Sequence, residues 1–221
     1  MKRPAPQEHF KRLLFTTFLI FFVFLSFFSC AVDDAEISSA SESLILDYEN
    51  EEKIPDVRLA VFIQTKNAVQ RTESFSVENL DYGYVWKVNS PEMFESGDRQ
   101  FAYCTDLKAP EGENIPKGSY KIVYSDAAGN SSEYIVPLNY DDTLLKKKSS
   151  EIAEKIPGKI ENLAVYDEMG ELVYFGKRKN EWTSVSSIRN ELKIASSMRV
   201  CYSTPSNSVI CLMPEEFFKK D

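Results

Sequence analysis

Between residues 54 and 140, apolar side chains recur at every second position. Val57, Leu59, Val61 and Ile63 alternate with Arg58, Ala60, Phe62 and Gln64, and Tyr82, Tyr84, Trp86 and Val88 alternate with Gly83, Val85 and Lys87. A period of two is the mark of a strand with one face in a core and one in water. Shorter runs of the same kind occupy 74–77, 100–105, 119–125 and 133–138, separated by turn-rich stretches such as Ser96-Gly97-Asp98 and Ala109-Pro110-Glu111-Gly112. Short strands at this density, punctuated by turns, predict a mainly β chain with a β-sandwich over 54–140.

The pattern then changes. Over 141–157, Thr143 can cap, Leu144, Leu145, Ile152 and Ile156 recur at near-helical spacing, and Pro157-Gly158 stops the run, which predicts a helical linker. The lysines at 146–148 read as its solvated face. Residues 158–221 predict a smaller β-rich, or α+β, C-terminal unit. Runs at 160–166 and 171–175 flank Asp167-Glu168-Met169-Gly170, and runs at 199–203 and 208–213 flank Thr204-Pro205-Ser206-Asn207, two hairpin signals. Val185, Ile188, Leu192 and Ala195 fit one helix face after Thr183 or Ser184 as cap, yet Leu192 and Ile194 also alternate, so 184–196 reads as helix or strand. A unit this small buries a marginal core alone and is expected to dock on the sandwich.

The N-terminus follows different rules. Residues 1–12 are cationic and 13–28 form an apolar run with seven phenylalanines, interrupted by Thr16, Thr17 and Ser26. A basic segment before an apolar stretch shorter than the roughly 20 residues of a spanning helix predicts a secretory signal peptide over 1–29. The run ends at Phe27-Phe28-Ser29-Cys30. That junction resembles the relaxed lipobox of spirochaete-type bacterial lipoproteins, with Phe28 standing where a small residue is usual. The resemblance implies cleavage before Cys30, thioether linkage of its thiol to diacylglycerol, fatty acylation such as palmitate, and an outer-membrane or cell-surface location, with the periplasmic face as the alternative. Each buried methylene of such chains stabilises anchoring by about 0.8 kcal/mol. The competing reading is an uncleaved signal anchor continuing through Val32. The acidic, serine-rich stretch that follows, 30–53, reads as a flexible tether with a reach of about 25 to 30 Å, or else lends an edge strand from 44–48 to the next domain.

The sharpest internal pattern is Gly118-Ser119-Tyr120-Lys121-Ile122-Val123-Tyr124-Ser125-Asp126-Ala127-Ala128-Gly129-Asn130. It resembles the last hairpin of bacterial immunoglobulin-like modules. The resemblance places Tyr120 like the tyrosine-corner residue of such sandwiches and Trp86 like their buried tryptophan. Cys104 is the only cysteine of the region, so the paired inter-sheet cysteines of antibody domains are missing.

Charge and composition narrow the chemistry. Of the 221 residues, 43% are hydrophobic and 27% charged, enough for one or two globular domains. Without residues 1–29 the chain carries 22 basic and 33 acidic residues, a net of −11. That balance argues against a nucleic-acid partner, which requires a basic stripe to release counterions. The single histidine, His9, falls in the signal. Ser-His-Asp and Cys-His catalysis, HExxH zinc hydrolysis and histidine-ligated iron or copper are therefore excluded from the mature chain. No GxGxxG or GxxxxGK[ST] loop, EF-type calcium loop or CxxC pair occurs, so no catalytic, cofactor-binding or metal-binding residue is assigned.

Two candidate features are left. Cys201 and Cys211 lie near-symmetrically about Ser206 and could bridge across a hairpin under oxidising conditions, leaving Cys104 as a buried apolar residue. Tyr82, Tyr84 and Trp86 form an aromatic row that reads either as sandwich core or as a ligand platform for sugar stacking. The expected function is a non-catalytic, lipid-anchored binding or scaffold module with a protein partner in the envelope or on a host surface. Its rivals are a surface adhesin for a host or matrix ligand, a carbohydrate-binding accessory, and a carboxylate glycosidase, since 33 acids supply the two such an enzyme needs.

Overall fold

The computed structural model describes residues 36–66 and 69–219. Thirteen strands, two short α-helices and two 3-10 turns make a mainly β protein built on two sheets. The first eight strands are β1 (Ile37–Asp47), β2 (Asp56–Thr65), β3 (Thr72–Asn79), β4 (Tyr84–Val88), β5 (Glu92–Ser96), β6 (Arg99–Leu107), β7 (Gly118–Asp126) and β8 (Ser131–Leu138). One sheet contains the order β1-β2-β6-β5 and the other is β4-β3-β7-β8. Numbered along the chain, these are the A-B-E-D and C′-C-F-G orders of an immunoglobulin-like sandwich.

The expected alternation holds in β2. Leu59, Val61 and Ile63 are fully buried between the sheets, where they meet Val77 of β3 and Tyr120, Ile122 and Tyr124 of β7 in one core. Burying a leucine or isoleucine to this degree contributes about 1.5 to 3 kcal/mol each. The tyrosine corner is also present: the Tyr120 hydroxyl donates to the carbonyl of Pro116, four residues upstream, at 2.5 Å. Trp86 is different. It stands on the edge strand β4, half-buried, with its indole N–H on the carbonyl of Lys108 at 2.8 Å. The site of the buried tryptophan on the neighbouring strand is filled by Phe75 and Val77.

Residues 37–47, expected within the flexible tether, form β1, paired with β2 along its length. Serine and glutamate disguise this strand. Ser43 donates to the carbonyl of Asn207 and Ser38 to that of Gln64, while Leu44 and Leu46 fill the core. The sandwich therefore begins at Ile37 rather than at 54, and β1 lies inside its sheet rather than at an edge.

The segment over 141–157 has a 3-10 turn (Asp142–Lys146), capped by the Asp141 carboxylate on the amide of Thr143, then α1 (Ser149–Ile152). Leu144, Leu145, Ile152 and Ile156 are buried in the sandwich core, so this stretch closes the end of that core.

Beyond it come β9 (Ile160–Asp167), β10 (Leu172–Gly176), α2 (Val185–Glu191), β11 (Ala195–Ser203), β12 (Val209–Leu212) and β13 (Glu216–Phe217). The ambiguous stretch resolves as helix followed by strand, with Ser184 as cap accepting from the amide of Ser187. These elements do not dock as a detached unit. β12 pairs in parallel with β1, Leu44 opposite Val209 and Leu46 opposite Cys211, so one nine-stranded sheet runs through both regions. Buried residues still fall into two clusters, the second holding Leu163, Val165, Trp182, Ile188, Met198 and Phe218.

An ion network marks the seam between them. Asp47, at the end of β1, accepts from Arg58 of β2 at 2.9 Å and from Arg199 of β11 at 2.6 Å. Arg58 also donates to the carbonyl of Thr105, and Arg199 to those of Met213 and Leu212. Burial by itself would raise the Asp47 pKa. The hydrogen bonds and charges of Arg199 and Arg58 outweigh it and hold the carboxyl below its usual range.

Candidate functional site

Of the aromatic row that reads as core or as platform, the fold brings Tyr84 and Trp86 together and sets Tyr82 apart. Tyr82 lies in the turn before β4 and is 73% exposed. Tyr84 and Trp86 are half-buried, their rings 4.7 Å apart, with Trp86 6.1 Å from Tyr120 of the core. The Asn79 side chain makes this split. Its carbonyl oxygen accepts from the amides of Asp81 and Tyr82 and folds the chain away from the strand line, with Gly83 in a left-handed conformation.

An aromatic cluster that sequence reasoning missed lies on the outer face of the first sheet. Phe62 of β2, Phe101 and Tyr103 of β6 and Phe94 of β5 share one face, because Phe62 is opposite Tyr103 and Phe101 is opposite Phe94. Phe94 and Phe101 stack at 4.8 Å and 9°, and Phe62 and Tyr103 at 5.6 Å and 13°. Phe94 meets Phe62 and Tyr103 nearly edge-on, at 90° and 81°. Arg99 sits 5.9 Å from the Phe101 ring centre. The four rings thus pack face to face and edge to face on one another, with the Arg99 guanidinium at the margin.

The outermost strand of this sheet is β5, and all five of its residues are exposed. Its pairing with β6 runs without interruption from Glu92 opposite Tyr103 to Ser96 opposite Arg99. Glu92 accepts from the Tyr103 hydroxyl at 2.7 Å, a bond that, with burial, pushes the phenol up to about 12. Glu95 accepts from Gln100 at 2.7 Å and from Gln70 at 3.5 Å. Neutral groups thus orient both carboxylates, and among the described residues no cation pairs with either.

Four open concavities lie elsewhere among the described residues. One, of about 530 Å³, runs along α2 and is lined by Arg189, Lys193, Phe217 and Phe218. Another, of about 470 Å³, lies between β1 and β8 and is lined by Glu42, Tyr134, Pro137 and Ser208. Glu42 shares the inward face of β1 with Ala40 and Leu44, and burial pushes its carboxyl up to about 7 against the pull of a backbone hydrogen bond. A third, of about 500 Å³, has Glu51, Glu215 and Glu216 in its lining, and a fourth, of about 360 Å³, has Asp167 and Glu168.

The two cysteines expected to bridge are free. Cys201 is opposite Leu212 and Cys211 opposite Tyr202, so the hairpin register is offset by one residue from the one a bridge requires and the thiols lie on opposite faces of the sheet. Burial pushes them up to about 11 and about 12. Cys104 is half-buried and packs against the sandwich core. Cys30 lies outside the described residues, as do the signal peptide and its junction. Among the described residues no group of three or more His, Cys, Asp or Glu side chains is placed to hold a metal ion, and no helix is long and apolar enough to cross a membrane. No protein-family model matches the chain, and no curated protein shows significant similarity to it.

Proposed function

We propose that the chain is a lipid-anchored, extracytoplasmic binding or scaffold module that recognises a protein partner at the outer edge of its first sheet. The observation that supports this is the edge strand β5, none of whose residues is buried, joined to the Phe62–Phe94–Phe101–Tyr103 cluster. An edge strand offers unpaired backbone groups, and neighbouring side chains supply selectivity when another strand adds to it. The anchoring part of the proposal rests on the basic and apolar N-terminus ending at Cys30. The absence of histidine beyond residue 29 removes imidazole chemistry from the mature chain, and Glu42, whose carboxyl is pushed up to about 7, lines a concavity with no second carboxylate.

The test is made in a diderm host expressing the full chain. Metabolic labelling with a palmitate analogue should mark the protein, and Cys30→Ala should abolish the label. Protease shaving of intact and permeabilised cells assigns the outer or periplasmic side. A photo-crosslinking amino acid at position 94 should trap a protein species that the same probe at position 169, in the β9–β10 turn, does not. An unlabelled protein would refute the anchor, and identical crosslinking from both positions would refute the site.

A further inference from the structure

The free edges of the two sheets differ in how they resist an added strand. β10 carries a register irregularity between Leu172 and Tyr174. β8 has the exposed Pro137 and faces β1, whose Ile37 amide donates to Ser132. β4 presents the exposed Lys87, and its Trp86 indole is tied to the chain at Lys108. Bulges, prolines and lysines are the ordinary devices that keep an edge from pairing. β5 has none of the three, and its guard is its five-residue length and its charges, one of them on the inner face. It carries two glutamates instead, with Met93 and Phe94 between them, each about two-fifths exposed.

We propose that β5 is the receiving edge for an extended partner segment in which two apolar residues stand between two basic ones. This deepens the reading given above and rests on it. Glu92 and Glu95 are three residues apart and so lie on opposite faces of the sheet, Glu92 with the Phe94 ring cluster and Glu95 with Met93 on the inner side. A strand added antiparallel or parallel to β5 places side chains beside these four in turn, so the order Glu-Met-Phe-Glu is matched by basic–apolar–apolar–basic in either direction. Both carboxylates are already oriented by neutral donors and lack a cation, so an incoming lysine or arginine meets a fixed acceptor. The same two charges disfavour a second copy of β5, since like charges brought side by side on a sheet repel.

The full chain in detergent is titrated into a fluorescein-labelled peptide, Ser-Thr-Lys-Val-Val-Lys-Thr-Ser, with anisotropy as the readout. A matched peptide with glutamate for both lysines is the control. The lysine peptide should bind and the glutamate peptide should not. The double variant Glu92→Lys/Glu95→Lys should weaken the lysine peptide by about tenfold and bind the glutamate one, the size expected when two attractive cross-strand pairs become repulsive. The variant Glu111→Lys/Glu113→Lys, which alters net charge equally on an exposed loop, should leave affinity within about twofold, the margin of ordinary surface substitutions. Equal loss in both variants, or binding indifferent to peptide charge, would overturn the proposal. So would concentration-dependent self-association abolished by changing β5. If the peptide fails while crosslinking at position 94 still traps a protein, the docking site stands and the partner chemistry is wrong. Failure of both experiments removes the site as well.

Discussion

Replacing Asp47 by asparagine tests whether the seam between the two buried clusters is held by charge. In the native protein the carboxylate receives two charge-assisted hydrogen bonds, from Arg58 at 2.9 Å and Arg199 at 2.6 Å, among side chains only 16 to 26% exposed. Bonds to charged groups contribute about 1.5 to 3 kcal/mol each, and removing one partner of a fully buried ion pair costs about 3 to 5 kcal/mol. The residual exposure lowers that ceiling, as does the fact that Arg58 keeps Thr105 and Arg199 keeps Met213 and Leu212 as acceptors. Asp47→Asn should therefore cost about 2 to 3 kcal/mol in denaturant unfolding at pH 7. The sign of the pH effect follows from the depressed pKa of Asp47. The stabilisation is complete above the unfolded carboxyl value and is lost as pH falls through the folded one, so the variant should lose less stability than the native protein below about pH 4. Trp86 and Trp182 belong to different clusters, so fluorescence of single-tryptophan forms reports each side of the seam. A cost under about 0.5 kcal/mol, the noise of neutral surface changes, or parallel acid limbs in the two proteins, would refute the reasoning.

Other expectations are briefer. Tyr120→Phe removes the bond to the Pro116 carbonyl and should destabilise by about 1 to 2 kcal/mol in the same unfolding assay. Glu42 has a carboxyl pushed up to about 7, so the folded state binds more protons than the unfolded one between roughly pH 4.5 and 7 and stability falls as pH rises across that window. Glu42→Gln should flatten this slope and, after discounting for partial exposure, stabilise by about 1 to 2 kcal/mol at pH 8. Cys201 and Cys211 should resist a thiol reagent in the native protein and react on unfolding, and a non-reducing mass measurement should show no bridge between them.

The parts of the fold that could be read from the chain were those where one face is uniformly apolar. β2 and β7 show this, as do the hairpins at Asp126-Ala127-Ala128-Gly129 and Asp167-Glu168-Met169-Gly170. In both turns the leading aspartate accepts two downstream amides and the glycine takes a left-handed conformation. The second half of β1 matches the strand offered as an alternative at 44–48, while its first half was hidden because it presents Ala40 and Glu42 inward and serines outward, so pairing on β2 had to supply what its own pattern does not. β5 was hidden for the opposite reason, since none of its five residues is buried and no alternation arises. The ring cluster depends on register between β2, β6 and β5, and Phe62, Phe94, Phe101 and Tyr103 have no common spacing along the chain. The cysteine pair shows how sharply register decides. Symmetry about Ser206 suggested facing thiols, and a shift of one residue turned them to opposite faces.

The early start of β1 also sets a stance. With the first strand beginning at Ile37, only six residues separate it from Cys30, a span of at most about 25 Å even when fully extended. A diacylglyceryl group on that cysteine, as proposed, would therefore be joined to the start of β1 by a connector no longer than this. By register this same end carries the finish of β2, the start of β6 and the β5–β6 turn at Gly97 and Asp98. The β5–β6 turn would then be the end of the receiving edge with the shorter path along the chain's fold to that anchor.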